Sequence, residues 1–231
     1  MILDISNLSF GYDRKEIVSN LSFTVEKGDY LCIIGENGAG KTTLVKVLLG
    51  LKKPYSGIIS FSDGLTQNEI GYLPQSTVVQ KDFPATVREI VLSGCLGRLG
   101  KRFFYDKEDH RRAEDSIRKM KIEHLADRNY RDLSGGQQQR VLLARCLCAT
   151  EKLIILDEPS ASLDYETTKE MYSLIGELNK EGIAIIMISH DLDTALKQAK
   201  HILLLEENES FYGTGEEYMD YQRKSRVIGN D

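Results

Sequence analysis

Residues 31–50, LCIIGENGAGKTTLVKVLLG, leave the chain few folds to choose from. Leu31 to Ile34 read as a buried strand, Gly35 to Gly40 as a loop of small residues, and Lys41 onward as an amphipathic helix stopped by Gly50. The spacing is G-x-x-x-x-G-K-[ST], in the strand–loop–helix setting that this motif needs. Gly35, Gly38 and Gly40 let the backbone turn tightly and come close to a phosphate. The N–H groups of the loop, from Gly35 through Glu36, Asn37, Gly38 and Ala39 to Gly40, then form a positive cradle with the helix N-terminus. Lys41 is placed to reach β- and γ-phosphates, the Thr42 hydroxyl to ligate Mg²⁺, and Thr43 to donate to an α-phosphate. A glycine-rich turn that merely ends in Lys-Thr would not need the flanking strand and helix.

A second stretch supplies chemistry for such a phosphate. Leu153 to Leu156 is a continuous apolar strand ending in Asp157-Glu158, as a central parallel strand would be. Ligands gather at the carboxyl ends of such strands. Asp157 fits a Mg²⁺ ligand acting through the ion's water shell, and Glu158 a base that polarises water for attack on a γ-phosphate. Ile183 to Ile188 forms another buried strand, ending in Ser189-His190-Asp191, so His190 also lies at a carboxyl end and can contact a γ-phosphate. A lone histidine there is more often structural, but beside the other two stretches the functional reading is the better one.

A third stretch, Leu133 to Arg140, starts a helix with Ser134 as N-cap and with Gly135 and Gly136 in its first turn. Paired glycines weaken a helix, so an ordinary cap would not call for both. Ser134, Gly135, Gly136 and Gln137 therefore read as a second phosphate-sized nest.

The rest of the chain frames these three. Met1 to Phe10 alternates apolar and polar residues and Ile17 to Val25 is strand-like, so antiparallel β structure precedes the phosphate loop. Tyr12 lies on the turn between them and can stack on an adenine or be a surface tyrosine. Ile58 to Phe61 and Ile70 to Leu73 read as strands, with Pro74-Gln75 breaking the pattern. From Thr86 to about Ala126 the period is helical, interrupted by Leu99 to Tyr105. That basic and aromatic LGKRFFY run suits a solvated loop or a protein contact better than single-stranded nucleic acid. A helix from about Tyr165 to Lys180, another from Leu192 to Lys200, a strand from Ile202 to Leu205, a short strand near Phe211 and a polar tail complete the reading, with His110, His124 and His201 on the surface.

Charge and cysteines then exclude classes. A net charge of −5 gives no global basic field for DNA or RNA. No apolar run approaches the roughly 18 residues of a membrane span, and the first residues carry no basic and apolar leader pattern. Cys32, Cys95, Cys146 and Cys148 are expected as buried free thiols, since Cys146 and Cys148 fall on different faces of one helix.

Taken together, these residues resemble the ATP-binding subunit of an ABC transporter over nearly the whole chain. Gly35 to Thr42 resembles its Walker A loop, Leu153 to Asp157 its Walker B strand, Gln75 its Q-loop and His190 its H-loop. Glu158 matches the family's catalytic glutamate, Leu133 to Gln137 its LSGGQ motif, Ser160 to Asp164 its D-loop and Tyr12 its adenine-stacking aromatic. The resemblance implies an α/β fold, a P-loop NTPase of ABC type. It would have a mainly parallel core sheet, an N-terminal antiparallel β subdomain and an inserted α-helical subdomain. As a single domain over 1–231, residues 1–75 and 151–231 would form the core and about 76–150 the helical part. ATP and Mg²⁺ are the implied cofactors, with Thr42, Gln75 and Asp157 around the metal and Glu158, His190 and Gln75 catalytic.

The Ser134–Gln137 nest is expected to lie too far to serve its own Lys41, which implies a head-to-tail dimer in which each copy covers the other's ATP. With no span of its own, the chain would sit on the cytoplasmic face of the membrane beside permease subunits. It would work indirectly with a solute-binding protein and with no nucleic acid. Phe83, Arg88 and Leu99 to Tyr105 are the candidate permease contacts. The segment Asp82 to Val87 is similar to importers of zinc, manganese or iron, a pattern shared with iron-chelate importers. DNA-associated members carry a long coiled-coil insertion and ribosome-associated ones usually two cassettes, and this chain resembles neither.

Overall fold

The computed structural model describes residues 1–12, 15–75, 84–161, 163–189, 196–206 and 210–228. They form two compact units, one of Met1–Gln67 with Ala184–Asp231 and one of Asn68–Ile183.

In the first unit, β1 (Leu3–Tyr12) pairs antiparallel with both β2 (Lys15–Val25) and β4 (Ser56–Phe61). The alternation in β1 changes phase: Leu3 and Ile5 are buried, then Leu8 and Phe10. A shift in pairing between Ile5 and Leu8 absorbs the extra residue, and Asn7 takes φ 52° there. An inserted residue of this kind keeps both pairs of side chains on one buried face.

The second sheet of this unit is built on β3 (Tyr30–Gly35), buried from Tyr30 to Ile34. It pairs in parallel with β7 (Ala184–Ile188) and β8 (His201–Leu205), and β9 (Phe211–Thr214) closes the edge antiparallel to β8. Such apolar runs belong to strands covered on both faces. Buried Asp29 fixes the entry to β3, accepting hydrogen bonds from the Glu26 amide (2.8 Å) and the Lys200 ammonium (2.7 Å). α1 (Lys41–Leu48) leaves the end of β3 through the phosphate loop.

The polar tail expected after β9 is instead a helix, Gly215–Ile228. Thr214 and Glu217 cap each other at its start: the Thr214 amide donates to Glu217 (2.7 Å) and the Glu217 amide to the Thr214 hydroxyl (3.3 Å). Tyr218 anchors it in the core, its ring tilted against that of Phe211 with the centres 5.8 Å apart. His201, expected on the surface, starts β8 half-buried, its ring 5.4 Å from that of Tyr212.

In the second unit, β5 (Gly71–Leu73) pairs in parallel with β6 (Leu153–Asp157). Around them lie α2 (Val87–Leu92), α3 (Lys107–Lys119), α4 (Gly135–Ala149) and α5 (Tyr165–Lys180), with a 3₁₀ turn at Ser93–Arg98. Each of these four helices starts on a capping side chain, from Thr86, Asp106, Ser134 and Asp164 in turn. Such caps satisfy amides that the helix leaves without partners. α4 packs so closely that a Cβ on Gly71 would lie 2.7 Å from the Cys146 carbonyl oxygen.

Candidate functional site

The phosphate loop joins the buried end of β3 to α1. Gly40 sits at the helix start with φ 98°, and a Cβ there would press within 3.3 Å of Phe10 and Val18. A positive φ and the crowding from the antiparallel sheet both demand glycine. Unlike α2 to α5, α1 has no side chain hydrogen-bonded to its first turn. Helix starts that lack a capping side chain are the ones that commonly bind phosphate through their leading amides.

Lys41 is buried and turns back into the loop, its Nζ donating to the carbonyl oxygens of Gly35 (2.7 Å) and Glu36 (2.8 Å). Its ammonium is thus held beside the backbone amides rather than in solvent. Thr42 is exposed, while Thr43 is buried and its Oγ1 has no hydrogen-bond partner among the described residues. An orphaned buried hydroxyl is unfavourable by about 1–3 kcal/mol unless something binds it. These groups fit a polyphosphate: loop amides, a cation and two hydroxyls within three residues. A separate hollow of about 400 Å³ beside the loop is lined by Glu36 to Ala39 and by Leu204 to Glu206, and takes in none of Lys41, Thr42 or Thr43.

In the second unit, β6 carries Asp157 and Glu158 to its carboxyl end. Asp157 is buried, with the Tyr72 hydroxyl 3.5 Å from its Oδ2. Burial first, and then the Asp157 charge, push the Tyr72 phenol up to about 12. Tyr72 was not singled out from the sequence. The signal was present in β5, where Gly71 and Leu73 are buried and Tyr72 between them points the other way.

Glu158 follows with φ 49°, left-handed backbone that a side-chain-bearing residue adopts at a penalty of about 1–3 kcal/mol. That turn swings the carboxylate out of line with the strand, and Gln75 Nε2 donates to its Oε2 at 2.6 Å. The structure so brings together Gln75 and Glu158, 83 residues apart in sequence.

Ser134 caps α4 reciprocally: its hydroxyl accepts from the Gln137 amide (3.4 Å), and its own amide donates to Gln137 Oε1 (3.0 Å). The two glycines differ. A Cβ on Gly136 would lie 2.4 Å from the Thr167 methyl of α5, whereas one on Gly135 would meet nothing among the described residues closer than Leu163 at 3.9 Å. Packing among the described residues accounts for Gly136 and leaves Gly135 bare at an exposed helix tip.

Tyr12 is 41% exposed, and the Lys52 ammonium lies 3.9 Å from its ring centre, a cation on one aromatic face. Arg88 is engaged by Glu114 and, at 3.2 Å, by Asp127. Phe103 and Phe104 are 91% and 84% exposed. His190 and Phe83 lie outside the described residues, as does Ser162 of the D-loop stretch.

The loop, the acidic strand end and the capped glycine helix occur in one chain in the order that the ABC family has them. The family model for "ABC transporter" matches residues 18–161. The chain belongs to the ABC transporter family. ATP-binding subunits of this family are ATPases, and this ABC subunit is one.

It is 34% identical to the zinc uptake system ATP-binding protein ZurA of Listeria innocua, over 95% of this chain and 88% of that one. To the manganese transport system ATP-binding protein MntB of Bacillus subtilis it is 36% identical, over 98% and 92% respectively. Among solved structures, an inward-facing metal-chelate type ABC transporter aligns with a TM-score of 0.83 and 31% identity, covering 94% of this chain and 84% of that one. The expected P-loop fold of ABC type, with mainly parallel strands, an antiparallel β part and helices, is the one observed. No helix among the described residues of this ABC subunit is long and apolar enough to cross a membrane.

Proposed function

We propose that this chain powers the import of a divalent metal ion, zinc or manganese, through a partner membrane permease. The Glu158 carboxylate, swung out at the end of β6 and held by Gln75, carries the hydrolytic part of this reading. Relatives named for zinc and manganese transport, aligned over almost the whole chain, carry the choice of cargo over an iron chelate or a nucleic-acid task.

In this reading Lys41 and the amides of Gly35 to Gly40 hold the ATP phosphates, Thr43 takes the α-phosphate and Tyr12 stacks on the adenine. Thr42, Asp157 and Gln75 would hold Mg²⁺. Among the described residues no group of three or more His, Cys, Asp or Glu could hold a metal unaided, which fits an ion that draws its remaining ligands from phosphate oxygens and water. Glu158 takes the proton of the attacking water, and His190 contacts the γ-phosphate. The whole of 1–231 is proposed as one ABC ATPase domain, with the segment around 76–150 as its helical part.

Gly135 supports a dimer. It leaves the tip of α4 bare with no packing reason among the described residues, as a surface that covers a second copy's ATP would require. The permease would bring the subunit to the cytoplasmic face of the membrane, and exposed Phe103 and Phe104 suit a contact with it.

Two measurements test this. Lys41→Ala and Ser134→Arg are each expected to abolish hydrolysis, yet mixing the two variants should restore roughly a quarter of the wild-type rate, since half the dimers then carry one whole site of two. No recovery would sink the shared site while leaving the cargo open. For the cargo, the complex with its permease is expected to hydrolyse ATP faster with a binding protein loaded with zinc or manganese than with the empty protein. Stimulation by an iron chelate alone would overturn the metal-ion reading.

A further inference from the structure

Cys95 and Cys148 are both 0% exposed, and their sulfurs lie 2.9 Å apart. Neither takes part in the nucleotide chemistry proposed above. Cys95 stands in the 3₁₀ turn Ser93–Arg98 and Cys148 in the last turn of α4. The preceding glycine makes the approach possible: a Cβ on Gly94 would lie 2.1 Å from the Arg145 carbonyl oxygen and 3.0 Å from the Cys148 Cβ. The backbone of the turn therefore rests directly on the end of α4. Two sulfurs in van der Waals contact sit about 3.6 Å apart and a disulfide about 2.05 Å, so this pair is already well inside contact distance.

We infer that Cys95 and Cys148 are a reversible disulfide site, closed by a hydroperoxide and reopened by a thiol. The inference does not depend on the function proposed for the chain. Cys95 is the attacking group. The hydrogen bond from Cys148 holds its thiol below the usual range despite burial, while giving that bond pushes Cys148 upward. The thiolate is the nucleophilic form.

The Cys95 sulfur attacks one peroxide oxygen, the O–O bond breaks, and the departing hydroxide takes a proton to become water. Cys95 is then a sulfenic acid. The Cys148 sulfur, giving up its proton, attacks the Cys95 sulfur; the S–S bond forms, the S–O bond breaks, and a second water leaves. Two thiols lose two electrons in all, and one hydrogen peroxide becomes two waters.

Access comes from the covering segment, where Leu96 is 56% exposed and a Cβ on Gly100 would meet nothing within 4 Å among the described residues. Brief opening of such a short turn uncovers both sulfurs. Once formed, the bond staples the turn to α4 across 53 residues of sequence, restricting the unfolded chain. Cys146, two residues from Cys148, is an internal control: burial pushes its thiol up to about 12, which keeps it inert. Cys32, buried in β3, is another.

The test treats the reduced full-length protein with hydrogen peroxide, in the same tube as glutathione as an exposed reference thiol. The protein is then alkylated in denaturant and mapped without reduction. We expect alkylatable thiols to fall from the four of the sequence to two. A linked Cys95–Cys148 peptide should appear and vanish with dithiothreitol, and the oxidised protein should melt at a higher temperature. Cys148→Ser should give neither the linked peptide nor the rise in melting temperature. Four thiols still alkylated after the glutathione has been oxidised would overturn the proposal. So would Cys95 recovered as sulfinic acid without a linked peptide, or a link through Cys32 or Cys146.

Discussion

Glu158→Gln is expected to bind ATP within a few-fold of the wild-type affinity and to hydrolyse it about 10²–10⁴ times more slowly, the usual worth of a positioned base. In barrier terms that is roughly 3–5 kcal/mol. The substitution separates chemistry from architecture. Glutamine has the same length and volume, tolerates the φ of 49° about as well as glutamate, and can still accept from Gln75 through its amide oxygen. It loses only the capacity to take a proton from water.

Single-turnover hydrolysis alongside titration of a fluorescent ATP analogue would measure the two effects on one preparation. Turnover within a factor of three of wild type would remove Glu158 from the role of base. A loss of binding equal to the loss of rate would instead make it part of the nucleotide grip.

What is legible in this sequence, and what is not, has one physical origin. Features set by neighbours in the chain were legible. The phosphate loop depends on spacing within ten residues, the apolar runs of β3 and β6 mark strands covered on both faces, and Ser134 with Gln137 writes a capping box into consecutive positions. Features set by topology were not legible in local pattern, and the placing of Gln75 with Glu158 came only from the family resemblance.

Gln75 meets Glu158, and Tyr72 meets Asp157, only because β5 lies beside β6 in parallel register. Cys95 meets Cys148 because a glycine lets a turn rest on a helix end. The helix Gly215–Ile228 escaped for a different reason: its sequence is polar almost throughout, and a capping pair with one buried tyrosine holds it in place. The phase change in β1 could have been suspected. Leu3 and Ile5 are odd-numbered and Leu8 and Phe10 even, so one face can bury all four only if a residue is inserted between the pairs.

Lys41→Ala is expected to raise the dissociation constant for ATP by about 10²–10⁴. Hydrogen bonds from a charged donor are worth about 1.5–3 kcal/mol each, and an ammonium that reaches two phosphates makes at least two. The alanine also releases the loop, since Lys41 Nζ is what joins the carbonyls of Gly35 and Glu36.

A second variant separates those effects. Lys41→Met keeps most of the buried aliphatic stem and removes only the charge, so it should lose ATP as fully as alanine if phosphate attraction dominates. Were methionine to bind nearly as well as lysine, the lysine would be a loop brace and not a phosphate ligand. Thermal unfolding supplies the matching measurement. A ligand that binds only the folded state stabilises it by about 2.7 kcal/mol at one hundred times its dissociation constant. Wild-type protein should therefore melt several degrees higher with ATP than without, and both variants should show no such rise. Because the comparison is made within each variant, any intrinsic change in stability from the substitution cancels, and the missing rise reports the nucleotide alone.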